Sequence, residues 1–428
     1  MKRFRVFLVL TTVSLLAAAC SAGIPAEDPF LSPSSSRETE DSPGTAEADP
    51  DPGEEKNSAR ETEVADSEES CQDPFQGSSP GFQTSYWEKT NFCMHSVDYD
   101  SIISGGPPPD GIPPIDNPRF ESIASADGWL EDVEPVIALQ IEGDARAYPL
   151  QIMTWHEIVN DTVGGMPVAV TFCPLCNSAL VFERPLVDGE RLTFGTSGNL
   201  RNSDLVMYDR QTESWWQQFS GEAIVGDLTG TRLQFVPSAI SSWADFKAAF
   251  PEGRVLSIDT GFDRNYGANP YVGYDDVNAS PFLYQGPVND RLRPMERIVG
   301  ISELNGGARG YQLAELQEKG ILQDTLGEVP LVIFWKEGTA SALDARDIAE
   351  GRDIGSTGVY QRTLDGQVLT FTVTADGNFQ DEQTGSIWDI FGRAVDGPLA
   401  GKSLKPIAHV DTFWFVWSVF QGPDTLAR

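Results

Sequence analysis

Basic residues are scarce: 30 Lys+Arg stand against 64 Asp+Glu in 428 residues, a formal net charge of −34. Nucleic acid is thereby excluded as an expected partner, because binding phosphates needs a basic face. Cysteine and histidine are also few, 5 and 3, so thiol or imidazole chemistry must use very few positions. Stretches such as Gly105-Gly106-Pro107 lack the following Lys-Ser/Thr of a phosphate loop. No Gly-x-Ser-x-Gly elbow occurs, and three histidines leave little room for a serine triad. What is present points to a folded body. Hydrophobic residues make up 40%, with 10 Trp and 23 Phe, enough for a substantial core. Gly 40 and Pro 29 imply many turns, and so a strand-rich body rather than a helical bundle.

Residues 1–20 read as a lipoprotein signal peptide. Lys2, Arg3 and Arg5 precede an apolar stretch, Val6 to Leu16, that is too short to span a membrane. The stretch ends in Leu16-Ala17-Ala18-Ala19-Cys20, the pattern of a bacterial lipobox with Cys20 as lipid anchor; an ordinary signal cut at Ala-x-Ala is the alternative. Residues 21–70 carry 15 Asp+Glu against 3 Lys+Arg and one aromatic, Phe30. Such a segment buries too little apolar surface to offset its ordering entropy, so a disordered acidic tether is expected. The expected address is outside the cytoplasm, lipid-anchored at the membrane and facing outside or the periplasm.

The rest of the chain resembles itself. A shift of 163 lays Val136–Leu180 on Val299–Leu343 without a gap, with 14 of 45 positions identical. Arg146, Tyr148 and Asp161 fall on Arg309, Tyr311 and Asp324, and Ser178-Ala179-Leu180 on Ser341-Ala342-Leu343. Matches resume at Leu192-Thr193-Phe194 with Leu369-Thr370-Phe371, and at Trp216 with Trp388. The expected fold is α+β and β-dominated, two tandem copies of one β-rich unit over 71–290 and 291–428, the second degenerate. Runs such as Pro167–Phe172 and Ser178–Phe182 read as strands, Val187-Asp188-Gly189 as a hairpin turn, and Thr154–Asn160 and Ser241–Phe250 as helices.

Positions found in one copy only are the candidates for chemistry. On this alignment His156 falls on Lys319, Cys173 on Lys336 and Cys176 on Thr339. Two cysteines three apart after an apolar strand can share a metal or form a reversible disulfide. With His156 they offer three ligands, two thiolates and an imidazole, a set suited to copper or zinc. A redox-active dithiol, with Cys173 attacking and Cys176 resolving, is the enzyme alternative, although Pro174 follows the first cysteine where thioredoxin-type sites have Pro beside the second. A structural disulfide, buried thiols, or a non-catalytic envelope scaffold are the bland readings. Asn202, Ser203, Asp204, Met207, Asp209 and Arg210 are candidate pocket residues, in a segment elaborated in the first copy only. Cys71 and Cys93 are expected to form a structural disulfide, with a Cys93-Met94-His95 soft-metal cluster as the alternative.

Several long motifs carry a family resemblance: Ala145-Arg146-Ala147-Tyr148-Pro149-Leu150, Trp155-His156-Glu157-Ile158-Val159-Asn160-Asp161, Cys173-Pro174-Leu175-Cys176, and Asn202 to Thr212. Together with Phe413-Trp414-Phe415 they resemble an uncharacterised bacterial family catalogued as domain of unknown function 3179, over roughly residues 93–425. The resemblance implies exported or lipid-anchored proteins carrying this histidine and these cysteines, and implies no reaction. The resulting expectation is a membrane-anchored exported protein that binds copper or zinc, with a protein partner in the envelope.

Overall fold

The computed structural model describes residues 71–427 except 72 and 305; the expected signal, the expected lipid anchor at Cys20 and the expected tether fall outside the described residues. Strand accounts for 39% and helix for 12%, so the body is α+β and β-dominated. Among the described residues no helix is long and apolar enough to cross a membrane.

Strands form where β-branched and apolar runs are bounded by turn residues. Pro135–Ile141 pairs with Asp144–Pro149 across a Glu142-Gly143 turn, both residues at positive φ. The helix Leu150–His156 then covers this hairpin, and Ile158–Val163, Met166–Cys173 and Ser178–Glu183 form an antiparallel meander. The helix expected over Thr154–Asn160 therefore lies earlier. It starts after Pro149, and Glu157, at φ 58°, turns the chain into the next strand. Asp188 and Gly189, both at positive φ, link Leu186–Val187 to Glu190–Arg191 as a two-residue hairpin turn. A further sheet runs Ile102–Ser104, Phe194–Arg201, Asp204–Asp209, Trp215–Gln217, Glu222–Val225.

The same order of pairings recurs downstream. Arg297–Leu304 pairs with Gly307–Gln312, the helix Leu313–Lys319 follows, and Ile321–Leu326, Val329–Lys336 and Ser356–Gln361 form the meander. Phe371–Val373, Phe379–Asp381, Ile387–Trp388 and Ala394–Asp396 form the next sheet. Arg146 and Tyr148 both bond Asp161, as Arg309 and Tyr311 bond Asp324. Asp209 accepts from Thr212 and Trp216, as Asp381 accepts from Thr384 and Trp388.

One part of the sequence alignment does not survive folding. Ser178 pairs with Cys173, whereas Lys336 pairs with Ser356. Ser341-Ala342-Leu343 therefore lies in a long connection absent upstream, and Thr339 is not the counterpart of Cys176. The identity of three small and apolar residues was local; the ladder register decides equivalence.

Both halves contribute to one apolar core around the cysteines. It joins Cys173, Cys176, Leu205, Met207, Trp216 and Phe219 to Ile298, Phe413, Trp414 and Trp417.

Candidate functional site

Met166–Cys173 ends at its cysteine because Pro174 has no N–H to continue the ladder. The chain reverses over Pro174–Asn177. Cys176 N–H donates to Cys173 O (3.2 Å), Asn177 N–H donates to Pro174 O (3.1 Å), and Asn177 adopts φ 52°. This tight loop brings both sulfurs to one side. Distant elements tie it down: Phe413 N–H and Thr412 Oγ1 donate to Cys176 O, Tyr274 Oη to Leu175 O, and Asn177 Nδ2 to Asp411 O. The second half thus holds the cysteine loop although the thiols belong to the first.

Asp204 arrives from another sheet. Asn202 and Ser203, at φ 52° and 66°, make the two-residue turn between Phe194–Arg201 and Asp204–Asp209. Asp204 Oδ1 accepts from Cys176 Sγ at 3.1 Å, and Oδ2 accepts from Gln217 Nε2 at 2.5 Å and from Phe219 N–H at 3.0 Å. One ligand atom from each of Cys173, Cys176 and Asp204 lies within 4.8 Å of the other two, and all three residues are buried. The group is of a kind that can hold a metal ion. The two thiols are not bonded to each other.

Burial sets the electrostatics. It raises the Cys173 thiol, and raises Cys176 further beside Cys173 and Asp204. It lifts the Asp204 carboxyl to about 6, against hydrogen bonds that lower it, and lifts Glu157 to about 8, with the Asp204 charge adding to the rise. No ion pair to Asp204 or Glu157 occurs among the described residues; Arg201 donates to Gln217, which donates to Asp204.

His156 does not join this group, which corrects the expected His-Cys-Cys set. Both its nitrogens are engaged elsewhere, Nδ1 with Pro113 O and Nε2 with Tyr266 Oη, each at 2.6 Å. His156 is the last residue of its helix, and Glu157 follows as the cap at φ 58°. Of the pocket candidates, Asp204 is in the group and Ser203 offers its carbonyl to Cys176 Sγ at 3.5 Å. Asn202 serves the turn and Met207 the core. Asp209 braces the Thr212–Trp216 segment, and Arg210 pairs with Asp110 and Asp116. Cys71 and Cys93 form a disulfide, and His95 Nδ1 contacts Val97 O, so the soft-metal alternative for Cys93-Met94-His95 falls.

Sequence reasoning missed Gln217, which bonds Asp204, and Tyr271 and Tyr274, which pack on the core around the cysteines. The tyrosines belong to the segment between Arg254–Leu256 and Arg297–Leu304, which has no helix or strand. Long irregular connections in a packed domain are commonly functional. Its length was readable, but not where it lies.

No curated protein and no solved structure matches the chain. A family model described as "Protein of unknown function (DUF3179)" matches residues 109–425. That match takes in the cysteine loop, Asp204 and the braces from both halves, and the chain belongs to the DUF3179 family.

Proposed function

We propose that the chain is an exported, lipid-anchored protein that binds zinc or copper through Cys173, Cys176 and Asp204. The observation that carries this is the buried triad itself: two thiols and a carboxyl within 4.8 Å, with no cation paired to the carboxyl among the described residues. Buried acids without a counter-charge are costly, and a dication offsets that cost directly while displacing the protons. Zinc accepts sulfur and carboxylate oxygen alike, so exchanging the expected imidazole for Asp204 favours zinc over copper. The anchor rests on Cys20 and the address on residues 1–20; the acidic tether over 21–70 would let the body reach a partner in the envelope. The recurrent pairing order supports two copies of one unit over 71–290 and 291–428, the second having lost the site.

The test is metal analysis of full-length protein taken from its native compartment. About one zinc or copper per chain is expected, lost in a Cys173→Ser/Cys176→Ser double variant. Occupancy should rise with pH, because thiols and carboxyl must shed protons to ligate. A second reading has one specific support. The Cys176 Sγ to Asp204 Oδ1 contact gives a thiol proton a buried base, as a dithiol oxidoreductase needs. Metal-free protein with a reversible Cys173–Cys176 disulfide would transfer the assignment to that enzyme class. Neither metal nor a reversible disulfide would leave an envelope scaffold.

A further inference from the structure

The two halves differ in what closes their sheet edges. Upstream, the hairpin of Pro135–Ile141 and Asp144–Pro149 gains two more strands: Arg254–Leu256 runs parallel to Asp144–Pro149, and Phe120–Ser122 runs antiparallel outside it. The same stretch of chain closes a second edge. Ile115 bridges Val159 on the outer side of Ile158–Val163, its N–H donating to Ile158 O and its carbonyl accepting from Asn160 N–H, each at 2.9 Å. Phe120 then covers the first brace. Its ring meets Tyr148 edge-on with centroids 5.8 Å apart, and the Arg146 guanidinium lies 4.6 Å from its centroid.

Downstream both edges recur and are left largely open. Gly307–Gln312 ends its sheet except for one parallel bridge, Gly310 to Leu426, with Ala427 N–H donating to Gly310 O at 2.8 Å. Leu426 thus stands at Gly310 as Val255 stands at Ala147, and no described strand lies beyond it where Phe120–Ser122 lies upstream. Ile321–Leu326 is also an edge, and no described residue bridges its outer side as Ile115 bridges Val159. One cavity of about 650 Å³ takes in both edges, lined by residues 322–324 and 425–427 together with Arg309 and Tyr311 of the second brace. No aromatic ring other than Tyr311 lines it, and the Arg309 side chain is 37% exposed against 8% for Arg146. The stretch 163 positions after the upstream closure does not fill the space, since its Tyr284 packs on Phe415, with ring centroids 5.0 Å apart.

We infer that this cavity is a docking site for an extended segment of a partner protein, which takes the place that residues 115–122 take upstream. The segment's main chain pairs with the open edges, the mode by which peptides add a strand to a sheet. An aromatic side chain of the segment lies under Arg309 and against Tyr311, as Phe120 does on Arg146 and Tyr148. Folded proteins otherwise close or blunt such edges. Charge narrows the partner further. The lining holds Glu315, Asp324 and Asp424 against Arg309 alone, which favours a basic segment over an acidic one. With 64 Asp+Glu against 30 Lys+Arg, a second copy of the chain is a poor source of it. The inference goes beyond the metal-binding reading and does not rest on it.

The probe is a fluorescein-labelled peptide copying residues 114–123 with Asp116→Asn and Glu121→Gln, titrated with the full chain and followed by anisotropy. Wild type is expected to bind one peptide per chain. Phe120→Ala in the peptide and Arg309→Ala in the chain should each weaken binding about fivefold or more, through loss of the ring–guanidinium contact. Leu322→Arg, which puts a bulky charge into the cavity, should abolish binding; Arg309→Ala, at an exposed position, keeps the test open if that variant fails to fold. No saturable binding by wild type, or equal binding by all the chains, would overturn the docking site. A photo-reactive residue at position 322 of the full chain, activated in its native cells, reads the source of the segment. An adduct with a basic, aromatic-bearing segment of another protein is expected. An adduct with a second copy, or with residues 21–70 of the same chain, would overturn the assignment to a partner.

Discussion

A thiol reacts through its thiolate, and at Cys173 and Cys176 burial opposes that form while Asp204 opposes it again. Cys173 is 2% exposed and Cys176 is fully buried, so a reagent must wait for the covering segment to open. Tyr274 is the clasp: its hydroxyl donates to Leu175 O at 3.1 Å and accepts from Phe282 N–H at 3.2 Å. In the zinc-stripped chain, iodoacetamide at pH 7.5 should leave both cysteines largely unmodified and label them rapidly in denaturant. Tyr274→Phe should speed native labelling by about fivefold, the effect of removing roughly 1 kcal/mol of hydrogen bonding. Peptide mass spectrometry reads the outcome, and equal rates in the two proteins would deny the clasp. The CPLC motif was legible as a pair of sulfurs on one loop. Asp204 was legible only as a candidate among six, because a residue 28 positions away joins the sulfurs through sheet packing and not through spacing.

Among the elements, one brace occurs twice with different burial. Arg146 and Asp161 have side chains 8% and 7% exposed, and Tyr148 Oη adds a 2.6 Å bond to Asp161. Arg309 and Asp324 make the same pair at 37% and 32% exposure. Removing one member of a buried pair leaves the other charge stranded, whereas solvent compensates an exposed one. Asp161→Asn should therefore cost about 3 kcal/mol, at the lower end for such pairs because Asp144 still holds Arg146. Asp324→Asn should cost about 1 kcal/mol or less. Urea unfolding of the two variants checks the ranking, and equal losses would contradict it. The brace residues were visible in the chain as matched Arg, Tyr and Asp positions. Their unequal burial was not, since it depends on what packs over each sheet.

At the scale of the whole molecule, Cys71–Cys93 closes the first described segment onto the sheet that carries Asp204. Phe75, Phe82, Phe92 and Tyr99 cluster there, and Phe82, Phe92 and Trp87 pack on Trp215. A loop of this length is worth about 3 kcal/mol in the chain-entropy account. A Cys71→Ser/Cys93→Ser variant should unfold at lower denaturant by that amount while retaining metal, because the bond is remote from the thiol loop in its contacts. Loss of metal together with the disulfide would instead tie this segment to the site.

Composition and pattern by themselves carried the β-dominated class, the paired-cysteine motif and the family, and gave Cys71–Cys93 as an expected pairing that the structure then chose over a soft-metal cluster. Each depends on local chemistry: turn residues, alternation, or motifs contiguous in the chain. Tertiary structure decided the rest. It withdrew His156 by engaging both its nitrogens and put Asp204 with the two thiols instead. It also reassigned Ser356, rather than Ser341, to the strand position of Ser178. The physical reason is the same in each case. Which side chains share a buried volume is fixed by ladder register and by the direction in which a helix ends, and neither is written at any single position of the chain.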